Sequence, residues 1–511
     1  MNTRLLYSGL FLLALAACRK DQSAITSNRP GTEQPGTVIP KDQINAFIRQ
    51  SLSSTGHFKW ANASDEMVWS ALVQGDSVLS VGYQPATYEN LARTIHQIDL
   101  NNDSWKQAHQ EVLDIVLTNE GKVAGQRLQS PVLYDRKTLP IVDVKVGSLA
   151  TLKALRASKL VRYAEPIGYG QYMEEQSSDN SRAASSLLNF GCGSNDPFNG
   201  LVAGSDYTTI TPAAKQSWNY TYHNIPQAWN RSTGAGIKVM IIDTGVSPNQ
   251  NAFGTGFNQG ASSGRTIQKL VTFAGGTPDD LCGHGTSMAG ALAAPRGTSG
   301  NTAGIAYNSN LVMVHAAENV VLLSDESVNG VADAYVLAGN DPALKIVSMS
   351  LGTIFDFSAI EDGIRYAYNK GKLIFCAAGT SSKFFGSFVG VIFPATMSEV
   401  YAVTGVKDNL TERCGNCHVG PEVAFTVVME KTSTGRNPLS TAMSGDVPST
   451  VGGSSVATAS CAGIAALVWS KNPTYPRDSI VARMRRAASF GQNRHNKFGW
   501  GNVNADLAVG Q

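Results

Sequence analysis

Val451-Gly452-Gly453-Ser454-Ser455-Val456-Ala457-Thr458-Ala459-Ser460-Cys461-Ala462-Gly463 opens on paired glycines and carries two adjacent serines. It then runs on as a small-residue, helix-compatible segment through Ala465, Ala466 and Leu467. A serine at a glycine-to-helix junction sits where the first backbone N–H groups of the helix lack partners and point outward. Such a place suits a nucleophile whose substrate oxygen turns negative in the transition state. The same serine also suits a plain helix cap. Alone, the stretch leaves both readings open.

Two further stretches bear on it. Ile237-Lys238-Val239-Met240-Ile241-Ile242-Asp243-Thr244-Gly245 reads as a buried strand ending in Asp, followed by Thr-Gly. Asp280-Leu281-Cys282-Gly283-His284-Gly285-Thr286-Ser287-Met288-Ala289-Gly290 sets a His between glycines at the start of another small-residue helix. Asp, His and Ser therefore follow one another, each at a strand end or a helix start. With these three blocks the chain resembles the subtilisin-like serine proteases, or subtilases, whose triad residues stand in that order. Asp-Thr-Gly, Gly-His-Gly-Thr and Gly-Ser-Ser-x-Ala match the three motif blocks of that family.

The resemblance implies Asp243, His284 and Ser455 as catalytic residues, with Ser454 where the family has Thr or Ser before the nucleophile. It implies that Ser348-Met349-Ser350-Leu351-Gly352 lines the primary specificity pocket, with Ser350, Leu351 and Gly352 binding substrate. A peptide laid along such an edge binds by strand addition, which accepts many sequences. Phe393-Pro394-Ala395-Thr396, Tyr401 to Gly405 and Gly304-Ile305-Ala306 extend the match, which covers about residues 218–510. Three positions depart from it. Ser287 stands where the family has His, and Ala459 where it has Pro; both are packing positions. The third is Thr380, in Ala377-Ala378-Gly379-Thr380, where the family has an Asn that completes the oxyanion hole. The hole would then consist of the Ser455 backbone N–H and Thr380.

The pattern around these blocks predicts an α/β fold, and the resemblance implies that it is of the subtilisin-like three-layer kind. Apolar runs at Ile237–Asp243, Lys269–Phe273, Leu311–Ala316, Ile346–Ser350, Leu373–Ala378 and Val400–Gly405 alternate with helical patterns near 284–294, 326–338 and 358–370. That alternation implies a mostly parallel sheet with helices on both faces. Catalytic groups then belong beyond the carboxyl ends of the strands, where Asp243, Ser350 and Thr380 fall.

The organisation expected upstream is 1–17 signal peptide, 18–64 tether, 65–172 propeptide-like inhibitor domain, 173–205 linker and 206–511 peptidase domain. Arg4 and the apolar run to Ala17 read as a secretory signal. Leu15-Ala16-Ala17-Cys18 resembles the bacterial lipoprotein box, which implies lipidation of Cys18 and attachment to a membrane facing the periplasm or cell surface. Between 65 and 172, Met67–Val73 and Val78–Val81 read as strands. Ser104–Leu117 reads as a helix with Trp105, Ala108, Val112 and Ile115 on one face. Ile141–Val146, a helix through Leu149, Leu152 and Leu155, and Leu160–Pro166 complete a strand–helix–strand unit. Its Val-x-Tyr-x-Glu ending resembles the subtilase propeptide, which implies an intramolecular inhibitor and self-processing between about Tyr172 and Trp218.

Composition agrees with an exported globular protein. The chain has 511 residues, 42% of them hydrophobic and 16% charged, which suits two or three domains with large cores. A net charge of +2 gives no reason to expect nucleic acid. No apolar run beyond the N-terminus is expected to reach membrane-spanning length, so the membrane partner is met through the lipid only. With Cys18 lipidated, Cys192, Cys282, Cys376, Cys414, Cys417 and Cys461 form an even set that favours disulfides. Cys414-Gly-Asn-Cys417 reads as a structural bridge in preference to a redox or zinc half-site, which lacks a second pair at metal-ligand spacing, or a haem attachment with His418; Cys376 with Cys461 reads as a second bridge or as buried thiols. The triad chemistry requires no cofactor and no metal; structural calcium is common in the family, but no acidic loop here is diagnostic. The expected function is a serine endopeptidase acting on peptides or proteins. The rivals are a catalytically weak or inactive binding protein, because of Thr380, and an esterase or amidase on the same triad.

Overall fold

The computed structural model describes residues 37–124, 130–172, 192, 195–381 and 388–511. Residues 1–36, with the expected signal and Cys18, and most of the linker over 173–194 lie outside the described residues.

Four strands form an antiparallel sheet in the N-terminal part: β1 (Val78–Tyr83), β2 (Val132–Asp135), β3 (Ile141–Lys145) and β4 (Val161–Pro166), in the order β2-β3-β1-β4. Helices Asp103–Ala124 and Leu149–Ala157 agree with their apolar stripes: Trp105, Ala108, Val112, Leu152 and Leu155 are buried. Met67–Val73 is not a strand. It lies within helix Asp65–Gln74, because Ser64 caps its start by accepting a hydrogen bond from Met67 N at 3.2 Å, and Asp65 and Glu66 occupy its first turn. Another helix, Lys41–Thr55, falls inside the stretch read as tether and buries Ile44, Ile48 and Leu52 on one face.

A two-stranded hairpin, β5 (Tyr207–Ile210) and β6 (Ala214–Ser217), leads into the main domain. Its strands are β7 (Lys238–Asp243), β8 (Ile267–Val271), β9 (Asn310–His315), β10 (Leu344–Met349), β11 (Leu373–Ala377), β12 (Tyr401–Lys407) and β13 (Val423–Glu430). They form one seven-stranded sheet in the order β13-β12-β11-β10-β7-β9-β8, every neighbouring pair parallel. Both faces are covered, so β9, β10, β11 and β13 read as nearly unbroken apolar runs. β7 lies inside the sheet between β9 and β10, with later strands added on either side. The crevice at such a switch point, beyond the strand carboxyl ends, is where α/β sheets place ligands.

The serine-bearing helix, Gly453–Lys471, is buried almost throughout. Its length and mean hydropathy suffice for a membrane span, contrary to the expectation above. Here its small residues let it run through the protein core. Gly463 allows the close approach: a Cβ there would lie 3.0 Å from that of Ile305.

The N-terminal sheet and the outer helices Asp325–Asn340 and Ser358–Asn369 contribute to one hydrophobic cluster. Phe58 and Trp60 pack on Phe355 with ring centroids 5.8 and 6.2 Å apart. Polar ties surround this seam: Arg162 Nη2 reaches Asp362 Oδ2 at 2.6 Å, Lys59 Nζ reaches Glu361 Oε1 at 2.8 Å, and Tyr134 donates to Asp333 at 2.7 Å.

Candidate active site

Asp243 is the last residue of β7 and is fully buried. His284 opens helix His284–Ala293 behind Gly283, whose φ of +87° is one that L side chains rarely adopt. The glycine after the histidine serves another purpose: a Cβ on Gly285 would run into the carbonyl oxygen of Gly245. Asp-Thr-Gly and Gly-His-Gly thus press together backbone to backbone, and His284 Nδ1 lies 2.7 Å from Asp243 Oδ1. Burial by itself would pull the His284 pKa down. The charge and hydrogen bond of Asp243, with the charge of Asp280, outweigh that and hold it above its ordinary value.

Ser455 lies in the first turn of helix Gly453–Lys471, entered through Gly453 at φ +85°. With His284 it lines a cavity of about 210 Å³ whose walls include Ser350, Leu351, Gly352, Thr380 and Ser454. Ser350 Oγ donates to the Ser455 carbonyl at 3.1 Å, fixing the end of β10 against the start of the serine helix. The sequence-predicted residues therefore meet at one place: Asp243 behind His284, the others around the cavity.

Thr380 follows β11 in a loop that is held from outside. Gly379 has φ +120°, its carbonyl accepts from His418 N at 2.9 Å, and Ser381 N donates to Asn416 O at 2.7 Å. Asn416 and His418 belong to the turn closed by the Cys414–Cys417 disulfide, so that bridge braces the Thr380 loop. The Thr380 hydroxyl is not free. Its oxygen is 2.9 Å from Ser454 Oγ and accepts from Ser454 N at 3.3 Å, while Gly379 N donates to Ser454 Oγ at 3.2 Å.

Several residues that the sequence reading did not single out belong here. Asp280, 1% exposed, accepts from Thr244 Oγ1 (2.9 Å), Cys282 N (3.0 Å), Gly283 N (2.7 Å), Thr286 N (2.8 Å) and Thr286 Oγ1 (2.6 Å). It knots the Asp243 and His284 segments together. An acid just ahead of a helix start was the available signal. Cys192 is disulfide-bonded to Cys282, attaching the linker to the same turn. Asn195 lines the cavity beside His284. Cys376 and Cys461 are buried free thiols, and burial pushes the Cys376 pKa up to about 12. Among the described residues no cluster of His, Cys, Asp and Glu is arranged to hold a metal.

The family model described as the subtilase family matches residues 234–501. The chain is 30% identical over 307 residues to M-protease of Shouchella clausii (strain KSM-K16), covering 60% of this chain and 72% of that protein. It is 31% identical over 296 residues to subtilisin Savinase of Lederbergia lenta, covering 57% of this chain and 98% of that protein. The crystal structure of MycP1 from Mycobacterium smegmatis aligns with a TM-score of 0.45 and 20% identity, covering 62% of this chain and 91% of that one.

Proposed function

This chain belongs to the subtilase family and is a serine endopeptidase, and from that premise we propose that Asp243, His284 and Ser455 are its catalytic triad. Ser455 Oγ attacks the peptide carbonyl and His284 takes its proton, later giving it to the leaving amine as the acyl-enzyme forms. Asp243, bonded to Nδ1, leaves Nε2 as the basic nitrogen and stabilises the imidazolium that forms. The observation that carries this reading is the 2.7 Å Nδ1–Oδ1 contact behind a cavity lined by both His284 and Ser455. The backbone N–H of Ser455 and the Thr380 hydroxyl form the oxyanion hole, the second a weaker donor than the family amide. Ser350, Leu351 and Gly352 seat the acyl side of the substrate.

The N-terminal domain acts as a propeptide: folding template, temporary inhibitor, and substrate of a first self-cleavage between Tyr172 and Trp218. Its docking supports this, since the shared apolar cluster and the charged ties lie on the peptidase's two outer helices. Lipidation of Cys18 anchors the exported protein to a bacterial membrane. Fluorophosphonate labelling of wild type and Ser455→Ala tests the triad; labelling that survives the substitution removes Ser455 as nucleophile. A peptide library then separates endopeptidase from esterase turnover.

A further inference from the structure

Gly352 lines the cavity at Ser455, and its backbone is already spoken for. Its N–H donates to the Val320 carbonyl at 3.1 Å, and its own carbonyl accepts from Leu322 N at 3.0 Å. The pair forms a parallel bridge centred on Val321 and Gly352, and Val320 and Val321 line the same cavity as His284 and Ser455. A strand residue turns both of its backbone polar groups to one side. Any extended peptide pairing with Gly352 from the cavity must therefore take the two groups that Val320 and Leu322 now hold.

Gly352 cannot give way. A Cβ on it would lie 2.7 Å from Ile392 Cδ1 and 3.0 Å from the Phe393 carbonyl, and Thr353 N donates to that same carbonyl at 2.9 Å. The partner that can part is the short connection between β9 and helix Asp325–Asn340, to which Val320–Leu322 belong. That connection is backed by the N-terminal domain: a Cβ on Gly170 would lie 2.8 Å from Leu323 Cδ2 and 3.1 Å from its Cα.

We infer that Val320 and Leu322 are specificity-determining residues, a backbone competitor that only a peptide extended on its acyl side displaces. The inference rests on the triad reading above and concerns which peptides that site accepts. A substrate with one or two acyl-side residues leaves the bridge in place and gains nothing from Gly352. Roughly three residues suffice to replace both hydrogen bonds, because alternate residues of a strand face one edge. Selection is by reach and extended conformation rather than by side chain.

The test is a lock. Leu322→Cys with Thr353→Cys places thiols one step along the register from the Val321–Gly352 bridge. Wild type is carried through the same oxidation and reduction, because Cys192–Cys282 and Cys414–Cys417 respond to reductant as well. In the oxidised double variant, a small fluorophosphonate is expected to label Ser455 at its reduced rate. Cleavage of a tetrapeptide amide should fall at least roughly tenfold in kcat/KM, the scale of losing two backbone hydrogen bonds. Equal tetrapeptide cleavage by locked and reduced enzyme overturns the inference. A parallel series on wild type, with one to four acyl-side residues, keeps the question decidable if the variant does not fold or cross-link. Because the third residue trades the two bridge bonds for two of its own, the step in rate at that residue should be several-fold smaller in wild type than in Leu322→Pro, which lacks the N–H that the Gly352 carbonyl accepts from; equal steps overturn the competitor. Absence of fluorophosphonate labelling in wild type is a failure of the triad reading instead, and is seen before either series begins.

Discussion

Glu165, near the end of β4, accepts hydrogen bonds from the Ser358 backbone N–H at 2.6 Å and from the Ser358 hydroxyl at 3.1 Å. Ser358 is the first residue of helix Ser358–Asn369, whose N-cap, Phe357, has no side chain able to cap it. The N-terminal domain therefore supplies the cap of a peptidase helix, a contact that each part lacks alone.

That contact makes docking pH-dependent. Burial raises the Glu165 pKa from 4.5 to about 8; the Ser358 bonds oppose this, while nearby Glu361 and Asp362 add to it. In the docked state Glu165 keeps its proton to higher pH than when exposed. The Glu165 contribution to docking is thus fully present below about pH 4.5 and is lost as pH rises toward about 8. The cleaved N-terminal domain, measured by its inhibition constant for the peptidase, should bind at least roughly tenfold more weakly at pH 8 than at pH 5. Glu165→Gln should flatten that dependence. An unchanged profile in Glu165→Gln would assign the pH effect to other groups, foremost Asp356, whose pKa burial raises to about 6 against the opposing charge of Lys59.

With His284 as the proposed general base, its titration should set the acid limb of the rate profile. Its pKa lies above the ordinary value because Asp243 and Asp280 outweigh burial. The neutral imidazole is the base, so kcat/KM should rise with pH through that raised pKa and fall away below it. Asp243→Asn should lower kcat by about 10⁴-fold, the scale seen when a triad histidine loses its carboxylate.

Asp280→Ala should act differently. It touches no reacting atom in the proposed mechanism, yet it leaves Cys282 N, Gly283 N and Thr286 N without their acceptor in a buried place. A stability loss on the order of 3 kcal/mol is expected from stranded donors of this kind. Asp280→Asn keeps the shape and one acceptor, so it should recover much of that stability. It should still lower the His284 pKa read from the pH profile, since the nearby negative charge is gone. Thermal unfolding of both variants beside the two pH profiles separates these effects.

How much of this was legible in the chain depends on where the information resides. Asp243, His284 and Ser455 are punctuated by glycines that strand ends and helix starts require. The sheet strands are apolar runs because both faces are covered. Met67–Val73 carries an equally apolar run, and only the Ser64 cap with Asp65 and Glu66 distinguishes it as helix. Ile44, Ile48 and Leu52 show a helical spacing inside a stretch whose beginning reads as tether. β13 has strand composition but is absent from the expected strands. The acid ahead of the His284 helix marked Asp280 as a local cap, but its bond to Thr244 and the pairing of Val320 and Leu322 with Gly352 could not be read, because they exist only where segments distant in sequence meet.

The proposed self-processing can be read from the linker. If Ser455 cleaves its own chain, wild type should yield a shortened catalytic chain and Ser455→Ala should not. Cys192 is bonded to Cys282, so a cut upstream of Cys192 leaves the linker's downstream end held at the histidine turn by that bond as well as by the chain. A cut between Cys192 and Trp218 would leave the released piece attached until reduction. Reducing and non-reducing gels of the wild-type product therefore map the cut to one side of Cys192 or the other. Identical processing of wild type and Ser455→Ala would point to a different protease.

As the proposed second oxyanion donor, Thr380 should set how fast the enzyme runs. Its oxygen accepts from Ser454 N and stands 2.9 Å from Ser454 Oγ, which itself accepts from Gly379 N. A hydroxyl has one proton and two acceptor sites. If Ser454 donates in the contact between the two hydroxyls, Thr380 accepts twice and its own proton remains for an oxyanion in the cavity. If Thr380 donates to Ser454, the proton is spent and the hole keeps only the Ser455 N–H. The two arrangements give opposite results for Ser454→Ala. In the first, removing the Ser454 hydroxyl takes away the bond that turns the Thr380 proton toward the cavity, and kcat falls. In the second, it frees the Thr380 proton and kcat rises. Thr380→Val deletes the proton in either case. An oxyanion donor contributes about 10²–10³-fold to kcat, so in the first arrangement Thr380→Val should cost on that scale with KM nearly unchanged, because the bond is made mainly in the transition state. The triad proposal with Thr380 as second donor requires the first pattern: both variants slower, and Thr380→Asn at least as fast as wild type. Equal kcat in wild type and Thr380→Val would remove the hydroxyl from the hole.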